Sequence, residues 1–290
     1  MRVALATCSR LPDGNDDVRA LAGALAGLGV RAEPAVWDAD VDWSRYDLVV
    51  VRTTWDYTHR PDEFLAWADG LPHVLNPASV LRWNTDKRYL RDLADAGVPV
   101  VPTRWDPDDV PSDWPEYVIK PAVSAGSRDT ARWSTAEAAA ARAHLRGLRD
   151  AGRTVMLQPY LSHIDTAGEK ALVFLDGEYS HAARKAPILA PGTGVQGLVV
   201  PGDGRGAVTG AAATAAELDV ARRALAAVPG APDLLYARVD LVPGPDGSPV
   251  VLELELTEPN LFLAHGDDAV MVLAKAISAR GDGPLEPPSR

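Results

Sequence analysis

Apolar positions near the start of the chain change period. Residues 3–6 form an unbroken apolar run, as expected of a strand buried on both faces. Val18, Leu21, Leu25 and Leu28 then recur at helical spacing, with Gly29 where a helix C′ glycine belongs. Residues 48–51 are a second continuous run, and Pro61 to Trp67 opens another helix. Strands alternating with helices predict a parallel sheet.

The pattern then shifts. A helix is expected from Asn84, as N-cap, to just before Gly97, carrying Lys87, Leu90 and Leu93. Residues 117–120 and 155–158 read as strands, and Ser134 with Glu137 as a capping box. Residues 171–175 and 178–182 flank Asp176-Gly177, a tight-hairpin signal. Thr214 and Glu217 cap a helix with Leu218, Ala221, Leu225 and Val228 on one face. Strands follow at 235–242 and 249–256, and a last helix at 268–279. The chain is thus α/β at first and α+β in its second half. A boundary near residue 83 is expected, giving units 1–83, 84–161 and 162–290.

Composition narrows the class. With 47% hydrophobic and 24% charged residues in 290, a packed globular protein is expected. The net charge of −11 argues against a nucleic-acid partner. The first apolar run is too short for an export or membrane segment, so no membrane partner is expected. Cys8 is the single cysteine, which fits a reducing cytoplasm. All eight tryptophans lie at or before Trp133, and packing is their default role. Residues 191–206 form a glycine-rich loop suited to a lid or a linker, and 281–290 a loose tail.

The segment YARVDLVPGPDGSPVVLELELTE carries the chemistry. A two-residue turn at Asp246-Gly247 would set Asp240 across from Glu253 and Arg238 across from Glu255. Side chains alternate along a strand. The three carboxylates and Arg238 would then share one face, while Val239, Leu241, Leu252, Leu254 and Leu256 enter a core. Like charges on adjacent strand positions repel, and a hard divalent cation would neutralise them. The other reading of the pattern is a solvated acidic face.

Lys120 ends a strand beside the small-residue run PAVSAGS. There its ammonium and the loop N–H groups suit phosphate, although a lone lysine is unspecific. Lys87 and Arg184 are weaker signals still.

In order, NTDK, YVIKPAVSAGS, VMLQPYL, GEKALVFLDGEYSHAARKAP, ARVDLV and VLELELTEPN resemble the ATP-grasp superfamily, in its glutathione-synthetase-like branch. The resemblance implies two antiparallel sheets clamping ATP, behind an N-terminal βαβ parallel-sheet domain. It implies that Lys87 and Lys120 meet the phosphates under a loop containing Ser124, Gly126 and Ser127. Gln158, Tyr160 and Leu161 would flank adenine, with Glu169 at the ribose. Asp240, Glu253 and Glu255 would hold magnesium, as two ions. Arg184, Arg238 and Lys120 would be the catalytic cations. Glu255 stands where the family often has Asn, and Ala171 where glutathione synthetases tend to have Arg.

The stretches ATCSRLPDGNDD, VVRTTWDY and ELELTEPNLFL are similar to the cycloserine synthetase group, the O-ureido-serine cyclo-ligases. That implies ligase chemistry through an acyl-phosphate, with attack by a nitrogen of the same molecule. The partner is then a small amino-acid-like substrate, read by Arg52, Thr53, Asp56 and Asn260. For the first three, ordinary loop polarity is the competing reading. A homodimer is the assembly to test. The rival functions are an intermolecular carboxylate–amine ligase and a non-catalytic ATP-binding module.

Overall fold

The computed structural model describes residues 1–197, 207–230 and 232–281. Most of the expected glycine-rich lid and almost all of the tail lie outside the described residues. The chain builds three sheets in sequence order.

The first sheet is parallel. It contains β1 (Arg2–Thr7), β2 (Arg31–Val36), β3 (Leu48–Thr53) and β4 (Val74–Leu75), in the order β2-β1-β3-β4. Its helices are α1 (Asp16–Gly27) and α2 (Pro61–Asp69). Asn15 caps α1, accepting from the Val18 N–H at 3.1 Å, and Gly29 takes φ +77° just past its end. The pattern of apolar residues gave no sign of β2, because Arg31, Glu33 and Pro34 interrupt it. Those residues are exposed on an edge strand, where charge and proline are tolerated.

The single helix expected from Asn84 is instead two, α3 (Ala78–Thr85) and α4 (Tyr89–Asp95). Asn84 ends α3 rather than capping a helix. Its amide donates to the Leu254 carbonyl and accepts from the Leu256 N–H, both at 2.7 Å. Lys87 lies in the break between the two helices, its N–H bonded to the Ala122 carbonyl at 3.0 Å.

The second sheet is antiparallel. It contains β5 (Arg104–Trp105), β6 (Glu116–Pro121), β7 (Ala131–Ser134) and β8 (Val155–Pro159), in the order β5-β8-β6-β7. Helix α5 (Ala138–Asp150) follows the Ser134–Glu137 capping box and packs Leu145 and Leu148 on Tyr117, Ile119 and Trp133.

After a short α6 (Ile164–Ala167), the third sheet is built from β9 (Glu169–Leu175), β10 (Glu178–Lys185), β11 (Val208–Ala211), β12 (Tyr236–Pro243) and β13 (Pro249–Glu255). Its order is β11-β10-β9-β12-β13 and all pairs are antiparallel. Asp176 and Gly177 have φ of 54° and 79°, as a type I′ hairpin turn requires. Helix α7 (Ala215–Ala226) carries the Thr214–Glu217 capping box, and α8 (Ala269–Gly281) closes the fold.

The first and third sheets share one core. Val3, Leu5, Leu48 and Val50 pack with Val173, Leu175 and Tyr236, and with Leu273 and Ile277 of α8. Buried polar groups fix the junction. The Asn76 amide donates to the carbonyls of Tyr236 (2.9 Å) and Leu256 (2.7 Å) and accepts from the Leu235 N–H (2.8 Å). Several tryptophans do pack: Trp37, Trp43 and Trp67 cluster with Phe64 and Tyr46.

Asn76→Ala strands three buried backbone groups, each costing about 1–3 kcal/mol when left unpaired. Denaturant titration is expected to show a loss of about 3 kcal/mol or more. A loss under about 1 kcal/mol would mean that water or a rearranged strand replaces the amide.

Candidate active site

The β12–β13 hairpin brings the expected carboxylates together by a different route. Pro243 pairs with Pro249, so residues 244–248 form the tip, longer than the two-residue turn expected. That shifts the register by one. A bulge then restores it, since Leu241 pairs with Val251 while Asp240 pairs with Glu253 and Arg238 with Glu255. Leu252 is the extra residue. Strict alternation placed it in the core; the bulge turns it to the cavity wall, while Val251 and Leu254 remain buried.

A cavity lies between the second and third sheets. One wall holds Val118, Lys120 and Gln158, the other Glu169, Lys185, Leu252, Glu253 and Glu255. Of the residues expected at the nucleotide, Lys87, Lys120, Ser124, Gly126, Ser127, Gln158, Tyr160, Leu161 and Glu169 all line it. So do Arg238 and Asn260. Gly126 and Ser127 both have positive φ, 58° and 55°, and Lys87 Nζ donates to the Ser124 carbonyl at 2.7 Å, tying the loop down. Val101, Tyr160, Leu161 and Leu252 give one end of the cavity an apolar lining.

Charges in the site pair almost completely. Arg238 clasps Asp240 through Nε (2.8 Å) and Nη2 (2.9 Å), and also bridges to Glu255. Lys185 Nζ lies 2.7 Å from both Asp240 and Glu169, and Lys120 Nζ 3.0 Å from Glu253. Burial disfavours the Asp240 and Glu253 carboxylates. Arg238 and Lys185 outweigh it at Asp240, and Lys87, Lys120 and Lys185 do so at Glu253, so both pKa values lie below the ordinary range. Glu255 goes the other way: burial and repulsion from Asp240 and Glu253 exceed the help from Arg238.

Asp240, Glu253 and Glu255 offer carboxylate oxygens within 4.8 Å of one another. An octahedral magnesium with bonds near 2.1 Å needs ligand oxygens about 3.0–4.2 Å apart. This all-oxygen set fits such an ion with small side-chain adjustments.

Other expected residues stand elsewhere. Arg184 is exposed, donates to the Ala167 carbonyl and does not line the cavity. Strand alternation gives that place to its neighbour Lys185. Arg52 and Thr53 are buried below the wall, not on it. Arg52 donates to the Pro259 carbonyl at 2.8 Å and lies 4.9 Å over the Tyr236 ring, so it supports the chain under the site. Asp56 lines a second cavity beside Arg10, Arg19 and Arg128, and accepts from Trp37 Nε1 at 2.8 Å.

The sequence reading missed Lys185, Trp55, Tyr57 and Glu258 as wall residues. Alternation from the Asp176-Gly177 turn would set Arg184 opposite Glu169; a bulge at Ser180 shifts the register by one, so Lys185 pairs with Glu169 instead. Nothing local marks the other three. Glu258 is 8% exposed; burial and the nearby Glu255 push its carboxyl up to about 8.

Solved structures place the fold. Over 96% of the chain it matches a RimK-domain ATP-grasp protein from Sphaerobacter thermophilus over its full length (TM-score 0.68, 18% identity). It matches 97% of a D-alanine–D-alanine ligase from Bacillus anthracis (TM-score 0.63, 13% identity) over 97% of its own length. The chain has the ATP-grasp fold. Residues 3–76 match the N-terminal domain of D-cycloserine synthetase DcsG. Over 91% of the chain and 93% of the relative, it is 38% identical to the cycloserine biosynthesis protein DcsG of Streptomyces lavendulae. The crystal structure of D-cycloserine synthetase DcsG superposes with a TM-score of 0.87 at 35% identity, covering 97% of this chain and all of that one. The chain therefore belongs to the D-cycloserine synthetase family.

The raised Glu258 pKa gives a pH dependence. Its folded value, about 8, exceeds the ordinary 4.5, so its contribution to stability is complete below about 4.5 and is lost as pH rises through about 8. Thermal melts of the ligand-free protein should show Glu258→Gln gaining on wild type from pH 5 to 8, then holding its lead. Parallel curves would refute the shift.

Proposed function

We propose that this enzyme closes O-ureido-D-serine to D-cycloserine. The observation that carries the reading is a charge-paired carboxylate trio, Asp240 buried behind Glu253 and Glu255 on a cavity wall that faces phosphate-competent lysines, on a chain similar to D-cycloserine synthetase DcsG.

The substrate carboxylate attacks the γ-phosphorus of ATP, releasing ADP and leaving an acyl-phosphate. The nitrogen bonded to the side-chain oxygen then attacks the acyl carbon, and phosphate leaves. Water removes the carbamoyl group from the closed ring as carbamate, which gives carbon dioxide and ammonia. This balances the conversion to cycloserine.

The protein's share is positioning and charge. Lys87 and Lys120 hold phosphate oxygens, and the loop with Ser124, Gly126 and Ser127 covers them. Gln158, Tyr160 and Leu161 bound the base, and Glu169 the ribose side. Asp240, Glu253 and Glu255 hold magnesium, as two ions, whose chemistry is to neutralise the transferring group. Arg238 spends four of its five N–H donors on Asp240, Glu255 and the Asn260 carbonyl. The fifth has no partner among the described residues and can hold an acyl-phosphate or carboxylate oxygen. The other expected catalytic cation, Arg184, has no part, because Lys185 occupies the cavity side.

Magnesium-dependent phosphate release should occur with O-ureido-D-serine as the only acid and no added amine, with cycloserine as product. Glu253→Gln should cut the rate about 100-fold or more. A strict requirement for a separate amine would show an intermolecular ligase instead. Nucleotide binding without phosphate release from any acid would show a binding module.

A further inference from the structure

Three of the four carboxylates on the cavity wall have a cation partner: Glu169 has Lys185, Glu253 has Lys120 and Glu255 has Arg238. The fourth, Glu258, has none among the described residues, yet it is as buried as Lys87. The Tyr57 hydroxyl lies beside its carboxyl as a hydrogen-bonding neighbour. Along β13 and beyond, the wall runs from Leu252 at the apolar end through the metal carboxylates to Glu258, with Trp55, Tyr57, Asn260 and Phe262 beside it.

The surroundings hold Glu258 still. Trp55 Nε1 donates to its carbonyl at 3.0 Å, and Tyr57 is stacked on Phe64 at 4.6 Å between centroids. A fixed, buried carboxylate without an ion-pair partner is costly; Lys87 and Arg238 favour its charge but do not outweigh burial and the repulsion of Glu255. A ligand cation would relieve that cost, and a primary ammonium brings three donors for a carboxylate and a phenol oxygen.

We propose that Glu258, oriented by Tyr57, receives the α-ammonium group of the amino-acid substrate. The pocket thereby selects α-amino acids over carboxylic acids of the same shape. This rests on the reading above that the substrate is amino-acid-like. The carboxylate undergoing activation then lies one carbon from the ammonium, which places it on the Glu255–Arg238 side of Glu258. The competing role is a purely structural one, in which the Glu258 carboxyl stays neutral and only bonds Tyr57.

Calorimetry on the full chain, saturated with a non-hydrolysable ATP analogue and magnesium, separates these roles without needing turnover. Two pairs of ligands are compared: O-ureido-D-serine with 3-(ureidooxy)propionate, and D-serine with 3-hydroxypropionate. Wild type should bind the amino member of each pair about 100-fold more tightly. Glu258→Gln should lose most of that preference, while its affinities for the ATP analogue and the desamino acids stay within about threefold, which also certifies its fold. Tyr57→Phe should weaken the preference by about tenfold. Equal binding of amino and desamino members by wild type, undetectable binding of all four, or a Glu258→Gln protein that keeps the preference would overturn the inference. An amino preference in both pairs, without tighter binding of the ureido acid than of serine, would uphold this role and sink the ureido substrate.

Discussion

Three carboxylates on one hairpin face can coexist at a cavity wall only because cations are interleaved with them. Asp240 sits between Arg238 and Lys185, Glu253 faces Lys120, and Glu255 meets Arg238. These partners come from β6, β10 and β12, and the Lys120–Glu253 pair alone of them ties the second sheet to the third across the cavity. Removing one cation leaves an uncompensated buried charge, which costs far more than a surface pair is worth. The same pairing leaves the free site close to neutral. A triphosphate and its metal, on the function proposed, would exchange partners with residues already in place.

That arrangement depends on where the end of β13 is held. Asn76, Asn84 and Arg52 bond the backbone between Leu254 and Pro259, and the Tyr236 hydroxyl donates to the Thr257 carbonyl at 3.0 Å. All four are buried side chains that hydrogen-bond to main chain, and Asn84 also accepts from the Thr257 hydroxyl at 3.3 Å. They fix the segment that carries Glu253, Glu255 and Glu258 against the first sheet. Residues that looked like substrate readers, Arg52 above all, thus act one layer below the wall.

Most of the regular architecture was readable, because strong periodicity and turn chemistry agree along the chain. The Asp176-Gly177 hairpin, both capping boxes and the buried runs of β1 and β3 all carry local signals. Edge strands β2 and β11 carry none, since an edge needs little apolar surface. The hairpin register came out right at Asp240 and Glu253, although the two-residue turn invoked for it is absent. The longer tip and the bulge at Leu252 offset each other, and no propensity predicts a bulge. Lys185 takes the place expected of Arg184 because a bulge at Ser180 shifts the register that the Asp176-Gly177 turn sets across β9 and β10. Glu258 and Tyr57 were missed because they meet only through tertiary contact.

Manganese as a magnetic stand-in for magnesium tests the central claim, that the hairpin carboxylates are neutralised by protein cations until nucleotide arrives. Its binding can be followed by electron paramagnetic resonance with and without a non-hydrolysable ATP analogue. Weak binding to the free protein, and binding at least about tenfold tighter with nucleotide than nucleotide alone provides, is predicted; Asp240→Asn should abolish that gain. Tight manganese binding to the free protein, or a gain that survives Asp240→Asn, would contradict it.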